Sequence, residues 1–564
     1  MSDEIAGAGR ASEETAFAPL RLAEFRSLWT ASLFSNVGSF FQITAGSWLM
    51  WEMTASPSWV GWMAASRNLP LLLVALLAGV LADRNDRTTL LTVTQISMGI
   101  VALVMAGVTF AGRMTPAILL TLGLALGIGN AFNAPAWHSL VPDLVPRSMV
   151  TTAVALNSVS FNAARAIGPA LAGAVVATLG AGFAFGVNAA SYIGIIAVLI
   201  IVGRDIASRE RDRTSLLRAV ITGVRFARHT RAFRRLLLLG SLYALGTAVL
   251  QAMLPVKTEE LGQDAGTYGV LLGMMGAGAA FGGMSLSRIR RRLEADFIPL
   301  AVGLTGVAGV LAGLAPTTPL IILPMFLSGV FWIWTLSTVN ATIQLMAPDW
   351  VRGRAVSMWL LAYAGIVPIG SILSGLVADR IGAGLTMVIL SAATVGIGIW
   401  ARFLGVDDPS TVRVPAFTVT HSHLDAHPAV EGGPVMISNT WSVSIEDNRE
   451  FLALMEHVRE LRLRTGGYRW ALYRQVGSGS IFDETYLVRS WDEHLAQHRR
   501  IDDEAAAILA RAARLDRSIS GPVARHLVAV DPANGSGARP VDTEDVVHER
   551  PIPSDDSAEP MGDR

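Results

Sequence analysis

The sequence predicts an all-α bundle of twelve membrane-spanning helices, followed by a small soluble α+β domain. Three observations predict it. Of the 564 residues, 52% are hydrophobic and only 16% charged, where soluble proteins carry about a quarter charged residues; mean hydropathy is +0.46. The deficit is uneven: residues 27–404 read as one apolar segment after another, while 1–26 and 405–564 have soluble composition. Finally, the apolar segments are each about 20 residues or longer, which is what crossing a hydrocarbon core about 30 Å thick requires of a helix. Lipid leaves no partner for an unsatisfied backbone group, so helices or closed barrels are the only spanning forms. These segments are too long and too continuously apolar for barrel strands.

The expected spans, in order, are 28–51, 58–82, 89–111, 115–138, 150–178 and 182–203, forming a first six-helix bundle over 27–204. A central loop follows at 205–232. A second bundle over 233–404 holds 233–256, 267–287, 297–315, 318–345, 355–378 and 384–404. Connections after even-numbered spans carry Arg84, Arg87, Arg147, Arg204, Arg209, Arg211, Arg213, Arg288, Arg290, Arg291, Arg292, Arg352 and Arg354. The opposite connections hold only Arg113, Lys257 and Arg380. By the positive-inside rule the arginine-rich side, and with it both termini, is cytoplasmic. Residues 1–26 lack a basic segment followed by a short apolar run, so they read as a cytoplasmic tail and not as a signal peptide.

The halves resemble each other. Gly168-Pro-Ala-Leu-Ala-Gly173 runs on to Leu179-Gly180-Ala181-Gly182, and Gly370-Ser-Ile-Leu-Ser-Gly375 runs on to Ile381-Gly382-Ala383-Gly384. Pro142-Asp143-Leu144-Val145-Pro146-Arg147 before span five has its counterpart in Pro348-Asp349-Trp350-Val351-Arg352 before span eleven. A duplicated six-helix unit of this kind places a substrate path at the repeat interface near the bilayer midplane.

Between spans two and three stands Gly79-Val-Leu-Ala-Asp83-Arg84-Asn85-Asp86-Arg87. This resembles the signature loop of the major facilitator superfamily, although Asn85-Asp86 occupies the place of a usual second glycine. Leu20–Trp29, Asn133-Ala-Pro135, Leu140-Val-Pro-Asp143 and Arg165-Ala-Ile-Gly168-Pro169 make the chain similar to the bacterial exporter subgroup of the enterobactin exporter and macrolide-type efflux proteins. The resemblance implies the superfamily fold and export of a hydrophobic drug, siderophore or other secondary metabolite by proton-coupled antiport. It also implies a conformational motif at Gly79, Asp83, Arg84 and Arg87, with a gate-like motif at Arg165, Gly168 and Pro169.

Ionisable and amide groups inside lipid are costly, and each is a functional candidate. Arg67 and Asn68 fall within span two, ahead of Pro70. Arg165 falls within span five on one helical face with Ser158 and Asn162. Each arginine reads either as a cationic site for an anionic substrate group, as a gate, or as a side chain that satisfies helix-end carbonyls or pairs with a loop acid. Gln42, Asn130, Asn133, Trp137, Gln251, Trp334, Asn340 and Gln344 are further substrate-path candidates, with interhelical hydrogen bonding as the alternative role of the amides. Gly123/Gly127 and Gly278/Gly282 read as close-packing positions. No Asp or Glu stands clearly mid-membrane, so the residue that couples protons is not legible.

The chain has no cysteine, which excludes disulfides, thiolate metal sites and a cysteine nucleophile. A formal net charge of +0 gives no support for nucleic-acid binding. Residues 405–435 form a polar linker whose His421, His423 and His427 are read as linker rather than as a metal site. No cofactor is expected. From 436 to 530 the pattern becomes β-α-β-β-α-β: strands at 439–445, 468–476, 482–490 and 523–530, with helices at 449–464 and 491–517. That order is ferredoxin-like. The run from Glu484 to His498 is similar to antibiotic-biosynthesis-monooxygenase-type domains, which implies pairing into a homodimer. Residues 531–564 form a disordered tail. The leading reading is a non-enzymatic exporter that works on a small molecule within a lipid bilayer. The alternatives are an importer of a nutrient or metal chelate, and a membrane-tethered enzyme using Trp470, Trp491, His494 and His498.

Overall fold

The computed structural model describes residues 17–72, 74, 87–140, 144–202, 224, 226–228, 230–293, 296–403, 434–501, 503–518 and 522–529. Gly79, Asp83 and Arg84 of the signature loop therefore lie outside the described residues, as do 205–223, 404–433 and the tail from 530. The chain divides into two compact units. One comprises Met1–Leu216, Arg235–Ile343 and Val356–Asp408; the other comprises Leu217–Arg234, Gln344–Ala355 and Pro409–Arg564.

The helical part runs α1 (Ala23–Thr54), α2 (Pro57–Ser66), α3 (Arg87–Phe110), α4 (Pro116–Leu140), α5 (Val150–Leu179), α6 (Ala181–Val202), α7 (Arg231–Glu260), α8 (Ala265–Leu293), α9 (Phe297–Leu314), α10 (Thr318–Met346), α11 (Asp349–Ile381) and α12 (Ala383–Phe403). Among the described residues, ten of these helices are long and apolar enough to cross a bilayer. The two others have evident reasons. α1 is 32 residues long, but Ser32, Ser35, Asn36, Ser39, Gln42 and Ser47 dilute its apolarity. The described part of α2 is only 10 residues long. α1 also begins at Ala23, inside the expected tail of 1–26. Large apolar side chains stand exposed along the bundle: Ile193 at 68%, Leu314 at 62% and Leu323 at 61%. Water would penalise such a surface, whereas lipid tails solvate it.

The duplication is visible in the packing. α3 packs on α6, and its counterpart α9 packs on α12. α5 passes to α6 through Gly180 at φ +87°, and α11 passes to α12 through Gly382 at φ +81°. A residue with a Cβ is strained there, which explains a glycine at both places.

The C-terminal unit contains β1 (Val435–Ser442), α13 (Asn448–Thr465), β2 (Tyr468–Arg474), β3 (Ile481–Val488), α14 (Trp491–Arg499), α15 (Asp503–Ala513) and β4 (Val523–Val528). The sheet order is β2-β3-β1-β4, with every pair antiparallel. The first strand starts four residues before the expected 439, because Val435 pairs with both Val488 and Val528. Ile445, assigned to that strand from alternation, lies beyond it and is 73% exposed. The expected helix over 491–517 is two helices. Ser490 starts α14 by accepting a hydrogen bond from the Glu493 N–H at 3.2 Å, an N-cap that satisfies an otherwise orphan donor. Past α15 the Arg517 N–H donates to the Ser442 carbonyl at 2.7 Å, returning the chain to the sheet. Trp441, Phe451 and Phe482 centre the core.

His494 of α14 is 1% exposed. Its ring lies 4.6 Å from those of both His498 and His526. Burial, then the neighbouring His498 and His526, push its pKa down to about 2. In the unfolded chain it protonates near pH 6.5, so below that pH the unfolded state holds a proton that the native state excludes. The stability tied to neutral His494 is complete above pH ~6.5 and falls as pH drops toward 2. Hydrogen-exchange protection factors over 434–529, measured in the full chain, are expected to decline between pH 7 and 5. His494→Gln should flatten that decline.

Candidate functional site

A cavity of about 420 Å³ lies inside the helical unit, lined by both six-helix halves. The first half contributes α1 through α6. The second contributes Gln251 of α7, Tyr268 of α8, and Tyr363 and Ser371 of α11. α1 turns one polar stripe to it, with Ser32, Ser35, Asn36, Ser39, Gln42 and Ser47 at helical spacing.

The wall near α2 is set by a proline. Pro70 has no N–H to donate, and its ring would collide with the carbonyl four residues back. α2 accordingly ends at Ser66. Arg67 and Asn68 form a turn, in which the Asn68 N–H donates to Ala65 O at 3.1 Å and the Leu71 N–H donates to Asn68 O at 3.0 Å. A Cβ on Gly127 of α4 would lie 2.9 Å from Pro70 Cγ and 3.0 Å from Arg67 O, so the glycine allows α4 to close on the broken segment. Arg67 and Asn68 both line the cavity.

Amides furnish the opposite walls. Gln42 Oε1 accepts a hydrogen bond from Asn188 Nδ2 at 3.2 Å, and Gln42 Nε2 donates to Met105 Sδ at 3.0 Å. Gln95 Nε2 donates to Asn133 Oδ1 at 3.0 Å. Gln95 Oε1 and Asn188 Oδ1 are buried without a partner among the described residues, a costly state unless something fills the space beside them. Asn130, Trp137 and Gln251 also face the cavity.

Arg165 lies at an adjoining hollow of about 40 Å³, which Arg67 and Gln251 share. Its guanidinium sits 3.8 Å from the centroid of the Trp332 ring, and Trp332 Nε1–H donates to the Tyr363 hydroxyl at 2.7 Å. Among the described residues, every ion pair is made by side chains other than Arg67 and Arg165.

The remaining candidates sit elsewhere. Asn162 Nδ2 donates to its own helix at Ser158 O, 2.9 Å. Trp334 Nε1–H donates to Gly282 O at 2.8 Å and packs against Phe297 and Phe331. Neither they nor Asn340 and Gln344 line the cavity; Gln344 is exposed. Helical spacing gave each a face, but those faces meet neighbouring helices or the surface. Arg87 opens α3. Gly168 lets α5 approach α1: a Cβ there would lie 2.8 Å from Phe40 Cβ. Gln95, Asn188, Tyr192, Tyr268 and Tyr363 line the cavity without having been singled out in the sequence. Gln95 and Asn188 carried the signal, since each is an amide inside an apolar span.

At one face of the bundle, where the short α1/α2, α5/α6, α7/α8 and α11/α12 turns lie, the halves meet along two seams. On the α5–α8 seam, a Cβ on Gly173 would lie 2.5 Å from Ala265 O and 2.8 Å from Gly269 Cα. On the α2–α11 seam, a Cβ on Gly375 would lie 2.6 Å from Pro57 O, and one on Gly61 2.5 Å from Ser371 O. Gly173 and Gly375 occupy equivalent places in the repeat, so one contact is built twice. Asp379 of α11 crosses the second seam and accepts from the Ser58 N–H at 3.1 Å and from the Ser58 hydroxyl.

The profile of the family described as "Transmembrane secretion effector" matches residues 14–534. The chain is 23% identical over 380 residues to the staphyloferrin A transporter of Staphylococcus aureus, covering 67% of this chain and 95% of that one. It is 26% identical over 388 residues to the multidrug efflux pump Tap of Mycolicibacterium fortuitum, covering 66% and 94%. In fold it is similar to an inward-facing, unoccupied bacterial homologue of the lysosomal transporter Spinster, at a TM-score of 0.57 and 14% identity over 72% of this chain and all of that one. An inward-facing bacterial homologue of ferroportin gives a TM-score of 0.55 at 15% identity, covering 68% and 98%.

Proposed function

Because the chain belongs to the transmembrane secretion effector family of major facilitator transporters, we propose that it exports a small molecule across the bacterial plasma membrane by alternating access. It is a multi-pass membrane transporter and not an enzyme. One observation carries the proposal: a cavity built by both repeats, with the halves meeting along a seam made twice from equivalent glycines. Two similar bundles that rock about a central site need such matched contacts, because each seam must form and release as a unit.

In this reading α1–α12 all span, both termini are cytoplasmic by the arginine asymmetry, and the seams close the outer face. Asp83, Arg84 and Arg87 stabilise the opposite state. Gln42, Arg67, Asn68, Asn130, Asn133, Trp137 and Gln251 contact the cargo. The staphyloferrin A and multidrug relatives favour a siderophore or drug. Proton coupling rests on the family alone. The C-terminal unit, with its β2-β3-β1-β4 order, is read as ferredoxin-like and accessory, so deleting 436–564 should leave transport intact.

The chain contains no cysteine of its own, which makes the seam directly testable. A Cβ on Gly266 would stand 3.7 Å from Ala177 Cβ, within the roughly 3.5–4.5 Å that a disulfide spans. The pair A177C/G266C is expected to cross-link and to stop transport, with recovery on reduction. Adding Gly173→Val should abolish the cross-link by holding α5 off α8. Transport that continues at full rate through a complete cross-link would refute alternating access at this seam. Direction follows from inverted vesicles given labelled staphyloferrin A or a labelled neutral macrolide. Proton-gradient-dependent accumulation marks an exporter; accumulation only in right-side-out vesicles marks an importer.

A further inference from the structure

We propose that Arg67 and Arg165 together form an oxyanion subsite of the cavity, so that the cargo carries at least one carboxylate or chemically similar acidic group. The inference rests on the transport reading, since it assigns the chemistry of that same cavity. Both arginines line one hollow of about 40 Å³ that opens beside the main cavity. Arg67 comes from the turn after α2 and Arg165 from α5, both in the first half, and Gln251 from the second half joins them at the hollow.

A charge placed inside a bilayer protein costs several kcal/mol unless an opposite charge or a dense set of dipoles compensates it. Here there are two like charges at one hollow. No carboxylate among the described residues pairs with either. The Trp332 face attracts the Arg165 cation, but such a contact is worth about 0.5–2 kcal/mol and leaves the N–H fork undirected. The Tyr363 hydroxyl that holds Trp332 in place is an acceptor already engaged by the indole. What is missing is an acceptor-only group with two oxygens. A carboxylate matches the planar guanidinium fork in two parallel bonds, and a second guanidinium at the same hollow can take its remaining lone pairs.

The location suits recognition rather than scaffolding. Arg67 sits at the break in α2, and interrupted helices are where transporters of this general design place ligand contacts. The main cavity of about 420 Å³ leaves room for the rest of the molecule, against Gln42, Asn130 and Trp137. The acidic group would anchor in the small hollow while the amides and aromatic rings read the body.

The test uses the full-length protein in nanodiscs with citrate as the probe, at constant ionic strength. Citrate is expected to raise the melting temperature with saturation in the millimolar range, while triethyl citrate, which has the same body without charge, should not. Arg67→Gln and Arg165→Gln should each weaken the apparent affinity at least tenfold. Arg67→Lys, which keeps the charge but loses the planar fork, should fall between. Arg402→Gln, an exposed cation 67% accessible on its side chain, should leave the shift unchanged. The assignment is overturned if the ester stabilises as well as citrate, if chloride alone reproduces the effect, or if Arg67→Lys and both Gln variants melt like wild type with citrate present. The measurement needs no transport. Citrate protection that persists in a protein failing every vesicle assay would sink the transport reading and spare the subsite; transport with no citrate protection would do the reverse.

Discussion

Replacing Asp379 with alanine is expected to open the cavity to the outer face. α2 begins with no side-chain cap of its own: Ser56 at its N-cap makes none. Asp379, from the other half of the protein, supplies it, accepting from the Ser58 N–H at 3.1 Å, from the Ser58 hydroxyl, and from Ser56 Oγ at 3.4 Å. The equivalent seam differs in the physical point that matters. There Asp264 caps its own helix, accepting from the Thr267 N–H at 3.0 Å, and that bond survives when the halves part. On the α2–α11 seam, parting leaves the Ser58 N–H of α2 without the partner it has here. Losing an N-cap costs about 0.5–2 kcal/mol, and 1.4 kcal/mol is about tenfold in a population. A cysteine at Ser39, on the cavity wall, should therefore react with a membrane-impermeant maleimide about 2- to 30-fold faster from outside in the Asp379→Ala protein. Asp379→Asn, a comparable cap, should react at about the parent rate. Identical rates in the parent and the alanine variant would show that the seam does not depend on this cap.

The second large effect belongs to the C-terminal unit. Arg462→Ala is expected to destabilise it strongly. Glu484 is 0% exposed, yet it accepts hydrogen bonds from Arg462 Nε at 3.0 Å, Asn439 Nδ2 at 2.8 Å and Trp470 Nε1 at 3.1 Å. Burial by itself would raise the Glu484 pKa. The Arg462 charge, together with the bonds from Arg462, Asn439 and Trp470, outweighs burial and holds it below the usual carboxylate value. The contribution is thus present above the ordinary carboxylate pKa and is lost as pH falls through the lower native value. Removing Arg462 strands a buried charge, which costs about 3–5 kcal/mol, a large part of the 5–15 kcal/mol typical of a domain. Exchange protection in β1 and β3 should fall by about two to four orders of magnitude. Arg462→Met combined with Glu484→Gln should recover much of it, because a buried ion pair replaced as a pair is often nearly neutral. Full protection in the single variant would refute the assignment.

Several features were legible in the residues themselves. Glycines stand at the same places of both halves because two seams and two turns need them. Gln95 and Asn188 could have been found by the rule that found Gln42 and Asn133, since an amide in an apolar span must meet something polar. Even Asp379 carried a signal: Gly375-Leu-Val-Ala-Asp379-Arg380 nearly repeats Gly79-Val-Leu-Ala-Asp83-Arg84. Its partner, Ser58, did not, because nothing local links positions 321 residues apart.

By itself the sequence determined the run of apolar segments, the duplicated six-helix register, and the switch after residue 435 to a sheet-forming pattern. These depend on length, periodicity and turn chemistry, all properties of neighbours along the chain. Only the tertiary structure decided that Asn133 faces the cavity while Asn162 bonds its own helix, that Arg67 and Arg165 share one hollow, and that Asp379 caps a helix of the other half. Helical spacing assigns a side chain to a face, but the rotation of each helix against its neighbours decides what that face meets. That rotation is fixed by close backbone contacts such as Gly173 against Ala265 and Gly375 against Pro57.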